Sequence, residues 1–207
     1  MIDVDAEGPL QRDRIGMHEH RGSGGTFMSL SIDLGCGQKK REGCVGVDAL
    51  ALPGVDVVHD LDVFPYPFGD DSASQVWMDN ILEHLRKPLK AMEEVHRISA
   101  NGAEVVVSVP YFRSCYATID PTHRNFFGVW WFSYFDPSHP FHGRYGYTRA
   151  QFRVERIEFD REFKSTKMGI LHRILVRLAE RRPYSYEVRL SHLFPLNSLT
   201  YYLRVIK

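Results

Sequence analysis

Gly35 and Gly37 stand in the string Ile32-Asp-Leu-Gly-Cys-Gly37, and the carboxylate of Asp48 closes Val45-Gly-Val-Asp48 eleven residues later. Glycine lacks a Cβ, so a ligand can come close to the backbone of such a turn. A carboxylate ending the next strand can accept both hydroxyl hydrogens of a ribose. Gly-x-Gly alone also marks ordinary tight turns. An apolar run, a glycine turn, a second apolar run and an acid, in that order, suit a nucleoside. Two other side chains, His84 and His123, are suited to taking a proton near neutral pH. Capping or packing is the alternative role for His84, and turn capping the alternative for Asp48 and Asp60.

These residues need elements to hold them. Apolar runs predict strands over Leu30–Leu34, Cys44–Val47, Val55–His59, Gln75–Met78 and Glu104–Val109. Leu82, Leu85, Leu89, Met92, Val95 and Ile98 recur every three or four residues, which predicts a helix over Leu82–Ile98. Further on, a strand is expected over Phe152–Phe163, an amphipathic helix over Met168–Arg182 and a last strand over Leu199–Ile206. Alternating strand and helix signals imply an α/β sheet with crossover connections. Residues 1–28 alternate charge, glycine and histidine and read as a poorly ordered arm before one domain over 29–207.

The gap between the first two strands is short. A nicotinamide-binding fold places about twenty residues between glycine loop and acid because a helix lies between them. Here only residues 35–44 make the link. Ten extended residues reach roughly 33 Å, enough to run back along a strand but not to add several helical turns. The first helix is therefore expected to be shortened or absent. Lys39, Lys40 and Arg41 then sit on a loop beside the ligand, as a solvated charge run or as help for a ligand carboxylate.

Composition bounds the function. The 207 residues carry 26 basic and 26 acidic side chains, which argues against a general nucleic-acid binder. Cys36, Cys44 and Cys115 are odd in number and lack Cys-x-x-Cys spacing, so neither a disulfide framework nor a thiolate zinc site is indicated. Cys36 reads as a packing residue. No apolar run is long enough to span a bilayer, and a cytoplasmic location is the expectation.

Four stretches together carry a family resemblance: IDLGCG at 32–37, VGVD at 45–48, HDLDVFPYPFGDDS at 59–72 and NILEHLRKP at 80–88, with DPTHRNFF at 120–127 as a fifth. By these the chain resembles the class I S-adenosylmethionine-dependent methyltransferases, in particular the small type 11 group, over roughly residues 30–163. The resemblance implies a Rossmann-like α/β fold with a seven-stranded, mostly parallel sheet. Its last strand would be antiparallel, and S-adenosyl-L-methionine would lie over the strands' C-terminal ends. It implies that Gly35, Cys36 and Gly37 approach the methionine part of the cofactor and that Asp48 holds the ribose. Asp60 and Leu61 would face the adenine, with Asp62 competing for the role of Asp60. Asp79 would stand near the methionine portion, and Asp33 would either hold the cofactor's amino group or brace the loop. Asn80, Glu83 and His84 also resemble the Glu-x-x-Glu-His metal site of quinone-biosynthesis O-methyltransferases. Asparagine replaces the first carboxylate, so no bound metal is expected.

Methyl transfer is an in-line displacement, so its main demand is positioning, and a base is needed only for a protonated acceptor. His123 and His84 are the candidates. Residues 111–150 hold thirteen of the chain's 26 aromatics and read as an acceptor pocket and lid, with Tyr111, Tyr116, Phe127 and Trp131 as pocket residues. Part of that segment is expected in the core. In the 168–182 helix, Ile170, Leu171, Ile174, Leu175 and Leu178 oppose Arg173, Arg177, Arg181 and Arg182. Packing on the sheet edge is the expectation there, with a membrane-surface or partner site as the alternative. The reading is a methyltransferase acting on a small-molecule acceptor. Its rivals are a non-catalytic adenosyl-binding module and a methyltransferase of RNA or protein.

Overall fold

A computed structural model describes residues 17–22, 25–161 and 169–207, with side chains from residue 29 onward. The strands are β1 (Met17–Gly22), β2 (Gly25–Leu34), β3 (Val45–Asp48), β4 (Val57–Val58), β5 (Ala73–Asp79), β6 (Ser99–Pro110), β7 (Gln151–Phe159) and β8 (Ser198–Ile206). The helices are α1 (Pro88–Ile98), α2 (Tyr116–Ile119), α3 (Ile170–Arg181) and α4 (Pro183–Arg189), with a short 3-10 turn at Trp131–Tyr134. Seven strands form one sheet in the order β4-β3-β2-β5-β6-β8-β7, and β1 pairs with the N-terminal part of β2. Strands β2 to β6 run parallel, β8 is antiparallel to both neighbours, and β7 is thereby parallel to β6. This is the expected mostly parallel sheet.

The chain reverses direction in strand order between β3 and β5, on either side of β2, and the glycine loop leaves β2 there. Such a divergence opens a crevice at the strand ends. No helix stands between β2 and β3, β3 and β4, or β4 and β5 among the described residues. The expected loss of the first crossover helix thus extends to the next two. Arg97 replaces what a helix would have held in the 59–72 segment. Its guanidinium donates to the carbonyls of Tyr66 and Phe68 and pairs with Glu94 and Asp70.

Alternation along the parallel strands divides their faces. Ile32, Leu34, Val76, Met78, Val105 and Val107 point into a core that Ala91, Met92, Val95 and Ile98 of α1 close. On the opposite face Asp33, Trp77, Val106 and Tyr202 form one row across four strands. Arginines cover the aromatic members of that row. Arg41 lies 4.0 Å above Trp77, Arg161 lies 5.3 Å from the same ring, and Arg156 lies 3.4 Å from Tyr202. Stacked guanidinium planes thus take the place of packed helices there.

Several boundaries differ from expectation. The helix predicted from Leu82 begins at Pro88, because proline suits the first helical turn and disfavours helical backbone before it. Leu82 and Leu85 are buried, but from a turn, and the N–H groups of Arg86 and Lys87 are accepted by Asp62 at 2.9 and 3.1 Å. Residues 17–22 and 25–28, read as part of an arm, pair as an antiparallel hairpin, while residues 1–16 lie outside the described part. β7 stops at Phe159, short of Phe163, and α4 was not anticipated.

Candidate functional site

The loop from Gly35 to Cys44 is pinned by three carboxylates. Asp33 accepts the Arg41 N–H at 2.9 Å, Asp48 accepts the Gly37 N–H at 3.0 Å, and Asp56 pairs with Lys40 at 2.8 Å. Asp33 thus bonds the loop backbone through Oδ2 and also lines the adjoining cleft. Burial pushes its carboxyl up, against the lowering effect of the Arg41 N–H and guanidinium. Asp48 uses its other oxygen on the Leu50 N–H, at 3.0 Å.

The two glycines do different work. Both have positive φ, at 73° and 53°. A Cβ on Gly35 would stand 2.6 Å from Ile81 Cγ1, so this glycine lets the 80–87 turn pack against the loop. A Cβ on Gly37 would meet nothing within 4 Å, which makes Gly37 the one that presents open backbone. Cys36 is buried as a packing residue.

Asp33, Gly35, Cys36, Arg41, Asp79 and Asn80 line a cleft of about 420 Å³ at the C-terminal ends of β2 and β5. Arg41 is ion-paired with Asp79 across it. Arg41 Nε and Asp79 Oδ1 are buried and lack a hydrogen-bond partner among the described residues. One orphaned donor and one orphaned acceptor thus belong to two residues that line a single cleft. Asp60 caps a turn, its Oδ1 accepting the Asp62 N–H at 2.9 Å. Asp62 accepts the Arg86 and Lys87 N–H groups in the turn before α1. Leu61 is buried, and its carbonyl accepts the Tyr66 hydroxyl at 3.0 Å.

A second cleft, of about 300 Å³, is lined by Asn80, Glu83, His84, Tyr116, His123 and Asn197, among others. It brings the two candidate histidines together, with ring centroids 4.7 Å apart and edge to face. Hydrogen bonds fix their tautomers. His123 Nδ1 lies 3.2 Å from the Ala117 carbonyl, which can only accept, so Nδ1 carries a proton and Nε2 is the nitrogen left to accept one when the ring is neutral. Thr122 gives its hydroxyl proton to Asp120 at 2.6 Å, so it accepts from His84 Nδ1 at 2.9 Å. Burial and the neighbouring His123 hold the His84 imidazole below its ordinary pKa. His123 Nε2 lies 4.0 Å from the buried Glu83 carboxylate. Glu83, His84 and His123 each offer one ligand atom within 4.8 Å of the others, so a cation could be held here by a set that includes His123 rather than Asn80.

Of the four aromatic pocket residues expected, Tyr116 lines this cleft. Tyr111 and Phe127 are instead wholly buried in the core, and Trp131 packs on Phe135 at 5.4 Å. Tyr111 meets the rings of Phe159 in β7 and Tyr186 in α4, and Phe127 meets that of Trp131.

Asn80 lines both clefts. Its φ is +51°, a conformation that asparagine tolerates better than most residues, and its N–H bonds the Ser108 carbonyl at 2.9 Å. It turns the chain out of β5 at the wall between the two spaces.

No family model matches the chain, and no curated protein does. Among solved structures, the Haloferax volcanii complex of the Trm112 methyltransferase activator with a methyltransferase matches at 14% identity and a TM-score of 0.53, covering 95% of this chain and 86% of that one. The chain has the class I methyltransferase fold. An Archaeoglobus fulgidus SAM-dependent methyltransferase is similar at 18% identity and a TM-score of 0.49, over 84% of this chain and 85% of that one. A Mesorhizobium loti S-adenosylmethionine-dependent methyltransferase is similar at 16% identity and a TM-score of 0.46, over 85% and 91%. Within this fold, sequence reasoning named Arg41 only as one of three cations beside the ligand and missed Asn80 as a shared wall. Positive φ at an asparagine leaves no mark in a single sequence, and Arg41 was hidden in a run of three cations.

Proposed function

We propose that this chain is an S-adenosylmethionine-dependent methyltransferase acting on a small-molecule acceptor. The observation that carries the reading is the pair of clefts divided by Asn80, one with an orphaned ion pair suited to an amino acid, the other with two tautomer-fixed histidines. When bound, S-adenosylmethionine supplies an electrophilic methyl group on a sulfonium. Arg41 Nε would face its carboxylate, Asp79 Oδ1 its ammonium, the Gly37 backbone its tail and Asp48 its ribose hydroxyls. Asp60 and Leu61 would face the adenine, as the family resemblance implies.

On the acceptor side, His123 Nε2 would accept the proton of a hydroxyl or amine held in the second cleft. Glu83 would stabilise the imidazolium formed, and Asp120, through Thr122, would keep His84 oriented. Tyr116 and Asn197 give the acceptor an aromatic and a polar wall. About 300 Å³ is the lower end of small-molecule sites, which favours a compact acceptor over a nucleic acid or a protein segment.

Calorimetric titration with S-adenosylmethionine tests the reading. Saturable binding that Asp48→Ala weakens is expected; no binding at millimolar cofactor would overturn it. Methyl transfer from labelled cofactor to a component of a small-molecule extract then separates an enzyme from a non-catalytic binding module.

A further inference from the structure

Helix α3 is amphipathic in the wrong sense for a helix that packs on a sheet. The residues it buries are Val176 and Ala179, whereas Ile170, Leu171, Ile174 and Leu178 are exposed. At 100° per residue these four share one face, turned well away from the buried pair. The expectation that the apolar stripe packs on the sheet edge is therefore overturned. Leu193 and Phe194 extend the exposed surface beyond α4, and the six side chains are between 45% and 83% exposed. Leu171, Ile174, Leu178, Leu193 and Phe194 share an apolar groove of about 640 Å³.

Charge identifies the occupant. The whole chain is neutral, yet residues 169–195 hold five arginines against two glutamates. Arg173, Arg177, Arg181, Arg182 and Arg189 are all exposed. Glu187 is buried, and Glu180 accepts the Phe159 N–H at 3.2 Å. Exposed leucine, isoleucine and phenylalanine on a segment with exposed arginines suit insertion into the boundary of an anionic bilayer. A second copy fits less well, since a twofold contact across this patch would set arginines against arginines.

We infer that the α3 face, with Leu193 and Phe194, docks this protein peripherally on anionic lipid membranes. The helix is tied to the acceptor cleft through Asp160. That wholly buried carboxylate accepts from His172 Nε2 of α3 at 2.8 Å and from the N–H groups of Asn197 and Ser198 at 2.6 and 3.0 Å. Asn197 and Ser198 line the cleft two residues beyond Pro195, so the docking surface and the cleft wall are one stretch of chain.

The test is co-sedimentation of the full chain with phosphatidylcholine vesicles, with and without phosphatidylglycerol. Binding is expected only with the anionic lipid, and it should fall at least tenfold in high salt. It should also fall at least tenfold in Leu171→Asp/Ile174→Asp and, separately, in Arg177→Glu/Arg181→Glu. These side chains are exposed, and an unchanged circular dichroism melt verifies that each variant folds. No sedimentation with anionic vesicles, or sedimentation that either folded variant retains in full, would overturn the inference. Light scattering that shows a dimer abolished by Leu171→Asp/Ile174→Asp would overturn it in favour of self-association.

Discussion

Arg41 lies over Trp77 at 4.0 Å from the ring centroid while its guanidinium meets Asp79. A stacked guanidinium in this position gives the cleft a fixed positive charge at the point where a helix would otherwise begin. Helix N-termini hold anions through backbone N–H groups and a partial charge of about +0.5. With that helix absent, the cationic side chains Lys39 and Arg41 line the cleft instead.

Arg41→Met should therefore weaken cofactor binding at least tenfold, about 1.4 kcal/mol, with little loss of thermal stability. Asp79→Asn should do likewise, and the double variant should lose less than the sum of the two single losses. Calorimetric titration of all three variants checks this. Unchanged affinity in Arg41→Met would remove Arg41 from the site.

Asp48→Ala deletes the acceptor for the Gly37 and Leu50 N–H groups as well as the proposed ribose contact. The expected loss of fold stability is about 1–3 kcal/mol, measured by urea denaturation. Cofactor affinity should fall more steeply than stability. Asp48→Asn, which keeps one acceptor oxygen, should recover stability first.

His123→Ala should lower kcat by about 10²–10⁴-fold on a protic acceptor and leave cofactor affinity unchanged. Asp120→Ala should have a smaller effect, because it only orients His84 through Thr122. If turnover with His123→Ala equals the parent, the base lies elsewhere.

Gly35→Ala places a methyl group 2.6 Å from Ile81 Cγ1 at a φ of +73°. The clash and the left-handed backbone together should cost about 2–4 kcal/mol. Ile81→Ala in the same chain should restore the part due to the clash alone. Paired thermal melts measure both terms.

Glu94 accepts from Arg97 and from the Tyr66 N–H at 2.8 Å. Burial pushes its carboxyl up, but the Arg97 and Tyr66 bonds outweigh it and hold the pKa below the ordinary glutamate value of 4.5. A folded pKa below the unfolded one gives stability that is complete above that value and lost as pH falls through the folded pKa. Glu94→Gln should melt lower than the parent at neutral pH and lose less stability below pH 4.5. Melting curves across acid pH report the difference.

Much of this arrangement was legible in the chain. The order of the central strands follows from apolar runs separated by turn chemistry, and the missing first helix from a count of ten linking residues. The start of α1 was misplaced because Leu82 and Leu85 continue the helical period by coincidence of burial, while Pro88 marks the true beginning. Periodicity established an apolar stripe on α3 without its direction, since core packing and an exposed interface require the same spacing. Tyr111 could not be told from a cleft aromatic by composition, because the rings it packs on, Phe159 and Tyr186, lie far along the chain. Asp33 and Asp62 were seen as acids of the right segments, but their partners are backbone N–H groups brought close only by the folded loop.

The pinning of the 35–44 crossover by Asp33, Asp48 and Asp56 has a consequence for how the pocket fails. A helix packed on a sheet is held by buried apolar area and is indifferent to salt. This crossover is held by charge-assisted bonds, with Lys40 and Asp56 both partly open to solvent. Ions screen such contacts. Rising ionic strength should therefore release this loop while the sheet beneath it stays intact, so that the loop behaves as a separate cooperative unit resting on a sturdier platform.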